Sequence, residues 1–179
     1  MMTASLARVM QRGLVVAVIA GAAAMVPGTA SLAAAAHTVD ISIVAGKDAA
    51  GGGFDFNGYR NGAMTITVPA GWQVAVHFVN ANDLPHSVVV LPVGADKSPA
   101  PGGSPVFSGA TTKDLAAGLP KGGKQTFTFE ASKPGTYEFV CGVSGHAVAG
   151  MWDKLVVSAT AEAPSVTPAG AATISVGGN

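Results

Sequence analysis

The sequence predicts an all-β protein built as a two-sheet sandwich, and three observations carry that prediction. Composition is the first: the 179 residues include 24 Gly and 11 Pro with only 11% charged, which favours a loop-rich β protein over a helical bundle. Short stretches in which apolar and polar residues alternate are the second, because side chains on a strand point to opposite faces in turn. Third, clusters of Gly, Pro, Asn and Asp punctuate these stretches at short intervals, as turns between strands require.

Taken in chain order, residues 1–36 stand apart. Arg8 and Arg12 are followed by the apolar run LVVAVIAGAAAMV, then Pro27, Gly28 and SLAAAAH. That order of basic, apolar and small residues is expected of an export signal, with cleavage fitting after Ala33 or Ala36. No charge lies between Arg12 and Asp40, so the same segment also suits a retained membrane anchor. It contains no cysteine for lipid attachment and no adjacent arginine pair.

Residues 37–159 form the expected domain. HTVDISIVA alternates as a first strand, and GGGFDFNGY follows a glycine-rich turn. AMTITVPAG alternates again and stops at Pro69 and Gly71. WQVAVHFVN puts Trp72, Val74, Val76 and Phe78 on a core face, leaving His77 on the polar phase and exposed. ANDLPHSVVVLP is a turn leading into a strand. The breaker-rich residues 93–123 make a surface excursion with a short helix near TKDLAAG. QTFTFEA, TYEFVC and MWDKLVVSA complete the strands, with Pro134 and Gly135 turning between the first two. Residues 160–179 lack aromatics and are rich in small residues and Pro, the composition of a flexible tail. No internal repeat is evident.

Formal net charge is zero and Lys and Arg are scattered singly, which excludes the basic footprint of a nucleic-acid binder. Chemistry concentrates instead in FVCGVSGHAVAGMW. Cys141 is the one cysteine of the chain, so no disulfide can form within it. A lone cysteine or methionine is ordinarily core filler. Here Cys141, His146 and Met151 follow Cys-x4-His-x4-Met on one inter-strand loop, and His86 lies at the start of another strand behind Pro85. Thiolate, two imidazoles and a thioether are the ligand mix of a copper electron-transfer site, with His86, Cys141 and His146 in a plane and Met151 as the weak axial ligand. Asn80 and Ser87 are candidates to brace the ligand loops, although Asn80 also reads as a strand-end turn residue. His37 and His77 are not ligands in this scheme.

At FDFNGYRNGAMTITVPAGW, VHFVNANDLPHSVVV and YEFVCGVSGHAVAGMW, spanning residues 54–152, the chain resembles the cupredoxins, specifically the sulfocyanins, with rusticyanin a more distant relative. The resemblance implies a cupredoxin-like Greek-key sandwich holding one type 1 copper that cycles between Cu(I) and Cu(II). Ser87 departs from the Asn that often follows the first histidine in such proteins, as rusticyanin-like sequences also do. Sulfocyanins are often tethered by an N-terminal apolar segment, which implies an anchor for residues 1–36.

The expected function is therefore an electron carrier and not an enzyme: a monomer in the periplasm or on the outer face of the cytoplasmic membrane. Its partners would be redox proteins such as a cytochrome complex or terminal oxidase, docking weakly near His146. Leu84, Pro85, Gly145, Ala147, Val148 and Ala149 would supply an apolar rim that excludes water and raises the potential. An extracytoplasmic copper carrier or storage protein is the alternative; a metal-free adhesion sandwich is a further one. A single cysteine excludes a binuclear centre with two bridging thiolates, and four ligands leave no open position for substrate.

Overall fold

The structure, a computed structural model, describes residues 37–48 and 51–177. The leader expected over residues 1–36 lies outside the described residues. Among these, no helix is long and apolar enough to cross a membrane.

Among the described residues, nine strands form two sheets. They are β1 (Thr38–Ala45), β2 (Thr65–Pro69), β3 (Gln73–Asn80), β4 (Val89–Pro92), β5 (Lys124–Glu130), β6 (Gly135–Val140), β7 (Trp152–Ser158), β8 (Ser165–Thr167) and β9 (Ile174–Gly177). One sheet has the order β5-β3-β1-β9 and the other β4-β6-β7-β2-β8. Each is mixed: β1 runs parallel to β3 and β2 parallel to β7, while the remaining pairs are antiparallel. The turn at Pro134 therefore carries the chain from one sheet to the other instead of closing a hairpin.

Alternation in the sequence becomes the core. Val39, Ile41 and Ile43 from β1, Val74, Val76 and Phe78 from β3, and Phe127 and Phe129 from β5 face Ile66, Val68, Phe139, Leu155 and Val157 of the second sheet, all buried. Trp72 packs only partly against this cluster and stacks on His37 at 4.8 Å. His77 is exposed as expected, but it is not idle: its Nε2 lies 2.7 Å from Asp40 Oδ1 and its Nδ1 3.0 Å from Thr126 Oγ1, linking three strands across the outer face.

The excursion after β4 does more than cover the surface. Phe107 enters the core, stacking on Phe129 at 5.3 Å, and Ala110 is fully buried. Val90 N–H donates to Ala110 O and Val106 N–H to Val90 O, so this segment satisfies the outer edge of β4. Buried Glu138 accepts from Gly94 N and Asp96 N, fixing a short 3-10 turn at Ala95–Lys97. The helix expected near TKDLAAG is absent; Asp114 has a left-handed φ of 50°, which a right-handed helix cannot contain, and a turn forms there.

Residues 160–179 also need correction as a flexible tail. Over the described part, β8 pairs with β2 and β9 with β1, one strand on an edge of each sheet, and Ala171 between them is buried in the core. The free edges of β1 and β2 supply the hydrogen-bonding partners that make this weakly hydrophobic segment ordered. Truncation after Thr160 is expected to cost about 3 kcal/mol, from the lost burial of Val166, Ala171 and Ile174, and to lower the urea midpoint of a chain that still folds. An unchanged midpoint would show that the two strands add nothing to stability.

Candidate metal centre

Cys141 follows directly on the last residue of β6, and β4 pairs with β6 in the register Val89 opposite Val140. That pairing places His86, just ahead of β4, beside the Cys141 loop. The loop from Cys141 to Met151 closes on itself: Cys141 N–H donates to Met151 O at 3.1 Å, Met151 N–H to His146 O at 3.0 Å and His146 N–H to Val143 O at 3.2 Å. It is held from outside by Gly145 N–H on Pro99 O at 2.6 Å and by Asn61 N–H on Gly150 O at 2.9 Å. Gly145 and Gly150 have φ of 83° and 102°, left-handed values that glycine adopts without a Cβ penalty.

Three donor atoms converge at the centre. His86 Nδ1 and His146 Nδ1 lie 3.2 Å apart, Cys141 Sγ is 3.5 Å from His146 Nδ1, and one ligand atom from each residue falls within 4.8 Å of the others. Met151 is fully buried, and its backbone binds both Cys141 and His146. His86 and Cys141 have no exposed surface, whereas His146 retains 8%. Phe54 sets its ring edge-on to His146, with centroids 4.9 Å apart. Thus the sequence-derived His86, Cys141 and His146 come together, Met151 is tied to them through the backbone, and His77 and His37 lie elsewhere.

Electrostatics favours a soft cation here over protons. Burial, aided by the neighbouring His146, lowers the His86 pKa to about 4, and burial also lowers that of His146. The Cys141 thiol is pushed up by burial, opposed by hydrogen bonds from the Ser87 and Val143 amides and, least, from the Ser87 hydroxyl. Two neutral imidazoles and a thiol whose own ionisation is suppressed form a site that a metal, by displacing the thiol proton, satisfies better than water or protons do. The donor set therefore fits copper.

Asn80 and Ser87 bind the surrounding loops. Fully buried Asn80 donates through Nδ2 to Leu84 O and Leu119 O, both at 2.8 Å, and accepts from Asn82 N at 2.9 Å. Ser87 Oγ donates to Leu115 O at 2.7 Å and accepts from Gly142 N at 3.0 Å. Leu84 and Val148, each two residues along the chain from a candidate imidazole, are exposed, while Ala147, expected in the rim, is buried. Sequence reasoning missed the part played by Pro99, Leu115 and Gly118, because backbone carbonyls and van der Waals contacts leave no motif.

Asp153 is a second outcome not foreseen. Its Oδ1 accepts from Met64 N at 2.8 Å, and burial, reinforced by nearby Asp55, raises its pKa to about 7. In the copper-free chain, His86 contributes stability that is present above its unfolded pKa of about 6.5 and is lost as pH falls through about 4. Asp153 does the opposite: its contribution is present below the unfolded value of 3.8 and is lost as pH rises through about 7. The two offset each other between these limits. In Asp153→Asn, which keeps an acceptor for Met64, copper-free stability is expected to fall by about 3 kcal/mol more than in the parent between pH 7 and pH 4. Urea unfolding at both pH values checks this; identical pH slopes would contradict it.

Comparisons with known proteins agree on one group. Residues 27–167 match the model of the Sulfocyanin (SoxE) domain. Sulfocyanin of Sulfolobus acidocaldarius is 35% identical over 136 residues, covering 71% of this chain and 67% of that protein. Rusticyanin of Acidithiobacillus ferrooxidans is 35% identical over 96 residues, covering 52% of this chain and 49% of that protein, so the chain spans about half the length of that relative. Among solved structures, auracyanin B aligns with a TM-score of 0.51 at 25% identity, covering 66% of this chain and 88% of that one.

Proposed function

Since the chain belongs to the sulfocyanin family of blue copper proteins, we propose that His86, Cys141, His146 and Met151 hold its single type 1 copper and that it shuttles electrons between respiratory-chain partners outside the cytoplasm. The observation that carries this reading is the meeting of His86 Nδ1, His146 Nδ1 and Cys141 Sγ in a buried pocket. When bound, copper supplies the one-electron change between Cu(II) and Cu(I).

The chain's task is to keep its side chains still while that charge changes. Asn80 fixes the His86 loop, the Cys141 loop closes on its own amides, and Gly145 and Gly150 give it the required bends. Burial of His86 and Cys141 excludes water and favours the state of lower charge. His146 is the one of His86, Cys141 and His146 with exposed surface, and exposed Val148 lies two residues on in the chain; this face is the electron exit and a weak docking surface for a cytochrome complex or terminal oxidase. The protein acts as a monomer, exported to the periplasm or held by residues 1–36 at the outer face of the cytoplasmic membrane.

Voltammetry of the copper-loaded chain tests this reading. A reversible one-electron couple, with copper retained against a chelator through repeated cycles, is the expected result. Rapid copper loss to the chelator would instead mark a copper carrier.

A further inference from the structure

The segment at residues 111–119 belongs to neither sheet, yet it touches both stretches of chain that bear the candidate ligands. Its two arms are zipped to the approach to β4. Thr112 N–H donates to Val88 O at 2.9 Å while Thr112 Oγ1 accepts from Val88 N at 3.1 Å. At the other end His86 N–H donates to Leu119 O at 3.1 Å and Leu119 N–H to His86 O at 2.7 Å. Ser87, between the two zipped residues, sends its hydroxyl proton to Leu115 O. Leu115 O, at 2.7 Å, is a much closer acceptor for that proton than Cys141 Sγ, at 3.8 Å, so the hydroxyl ties the turn to the His86 segment and touches the sulfur only weakly.

The tip of the turn leans on the Cys141 loop. A Cβ at Gly142 would collide with Leu115 Cγ and Cδ1, so the leucine side chain rests directly on the backbone next to Cys141. One at Gly118 would lie 2.9 Å from both His86 N and Val143 Cγ2, which leaves glycine as the residue that fits between the two segments. Gly118 N–H donates to Asp114 O at 2.7 Å and closes the turn.

We propose that residues 111–119 form a clamp across the His86 and Cys141 segments, with Leu115 the positioning residue that seals the Cys141 sulfur from solvent. The role of the clamp in holding copper rests on the function proposed above; the seal itself does not. Leu115 is half-buried with its side chain against Gly142, and Cys141, the residue before Gly142, has no exposed surface. Shortening Leu115 opens a path to the sulfur while leaving the sheets intact.

The test is alkylation of the copper-free full-length chain by iodoacetamide, followed by mass. Leu115→Ala is expected to react about tenfold faster than the parent, and Leu115→Met, which keeps the volume, close to the parental rate. A Leu115→Ala rate equal to the parent's overturns the proposal. So does an equal acceleration in Ile41→Ala, which weakens the opposite sheet, because the effect would then be global and not a local seal. The two readings fail separately: a parent chain that stays colourless with cupric ion sinks the copper site whatever the alkylation rates, and an unaccelerated Leu115→Ala sinks the clamp whatever the colour.

Discussion

Replacing Cys141 by serine is expected to abolish the intense visible absorption of the copper-loaded protein and to weaken copper binding by orders of magnitude, with the fold retained. Serine keeps the size and removes the soft sulfur, leaving His86 and His146 with their Nδ1 atoms 3.2 Å apart and a hard, neutral hydroxyl for the third position. The absorption arises from a thiolate bound to Cu(II), which no other residue can provide, because Cys141 is the sole cysteine. Burial hides Cys141 fully, and its backbone N–H bond to Met151 O does not involve the side chain, so the copper-free variant should unfold within about 1 kcal/mol of the parent. A variant that retains the band would refute the ligand assignment. Titration with cupric ion, read by absorption and by copper stoichiometry, measures it.

Asn80→Ala is expected to lose about 3 kcal/mol of stability, the largest loss from any single polar truncation around the site. Three groups lose a partner at once: the carbonyls of Leu84 and Leu119 and the amide of Asn82. Leu119 O also receives His86 N–H, so the loss should speed hydrogen exchange at His86 as well as lower the urea midpoint. Asn80→Asp is the informative companion. It still accepts from Asn82, but it presents a carboxylate to two carbonyl oxygens, and at neutral pH it should be no more stable than the alanine variant. Full rescue by aspartate would show that accepting from Asn82, and not donating to the two carbonyls, is what matters.

How much of this was legible in the sequence follows from the range of each interaction. Strands β1, β2, β3, β5 and β7 were readable because a buried face imposes a period of two on neighbouring residues, as in Val74, Val76 and Phe78, whereas β4 and β6 were readable as short, largely apolar runs bounded by turn residues. The ligand group was readable because soft and imidazole donors are rare and their loop spacing is local; only His86 needed the antiparallel pairing of β4 with β6 to reach the others. Strands β8 and β9 were missed because nothing within residues 160–179 demands a strand. Their order comes from the edges of β1 and β2, far back in the chain. The clamp was missed for the same reason: Leu115 and Gly118 act through a carbonyl, a methyl contact and the absence of a side chain. His77 was placed correctly on the polar face, but its link to Asp40 depends on the parallel pairing of β1 with β3, which alternation cannot specify.

X-ray absorption at the copper edge of the loaded chain reads the ligand set itself. One short copper–sulfur bond and two imidazole nitrogens per copper are expected, with one copper per chain. A first shell of nitrogen and oxygen alone would contradict it and would leave the buried meeting of His86, Cys141 and His146 without its proposed purpose.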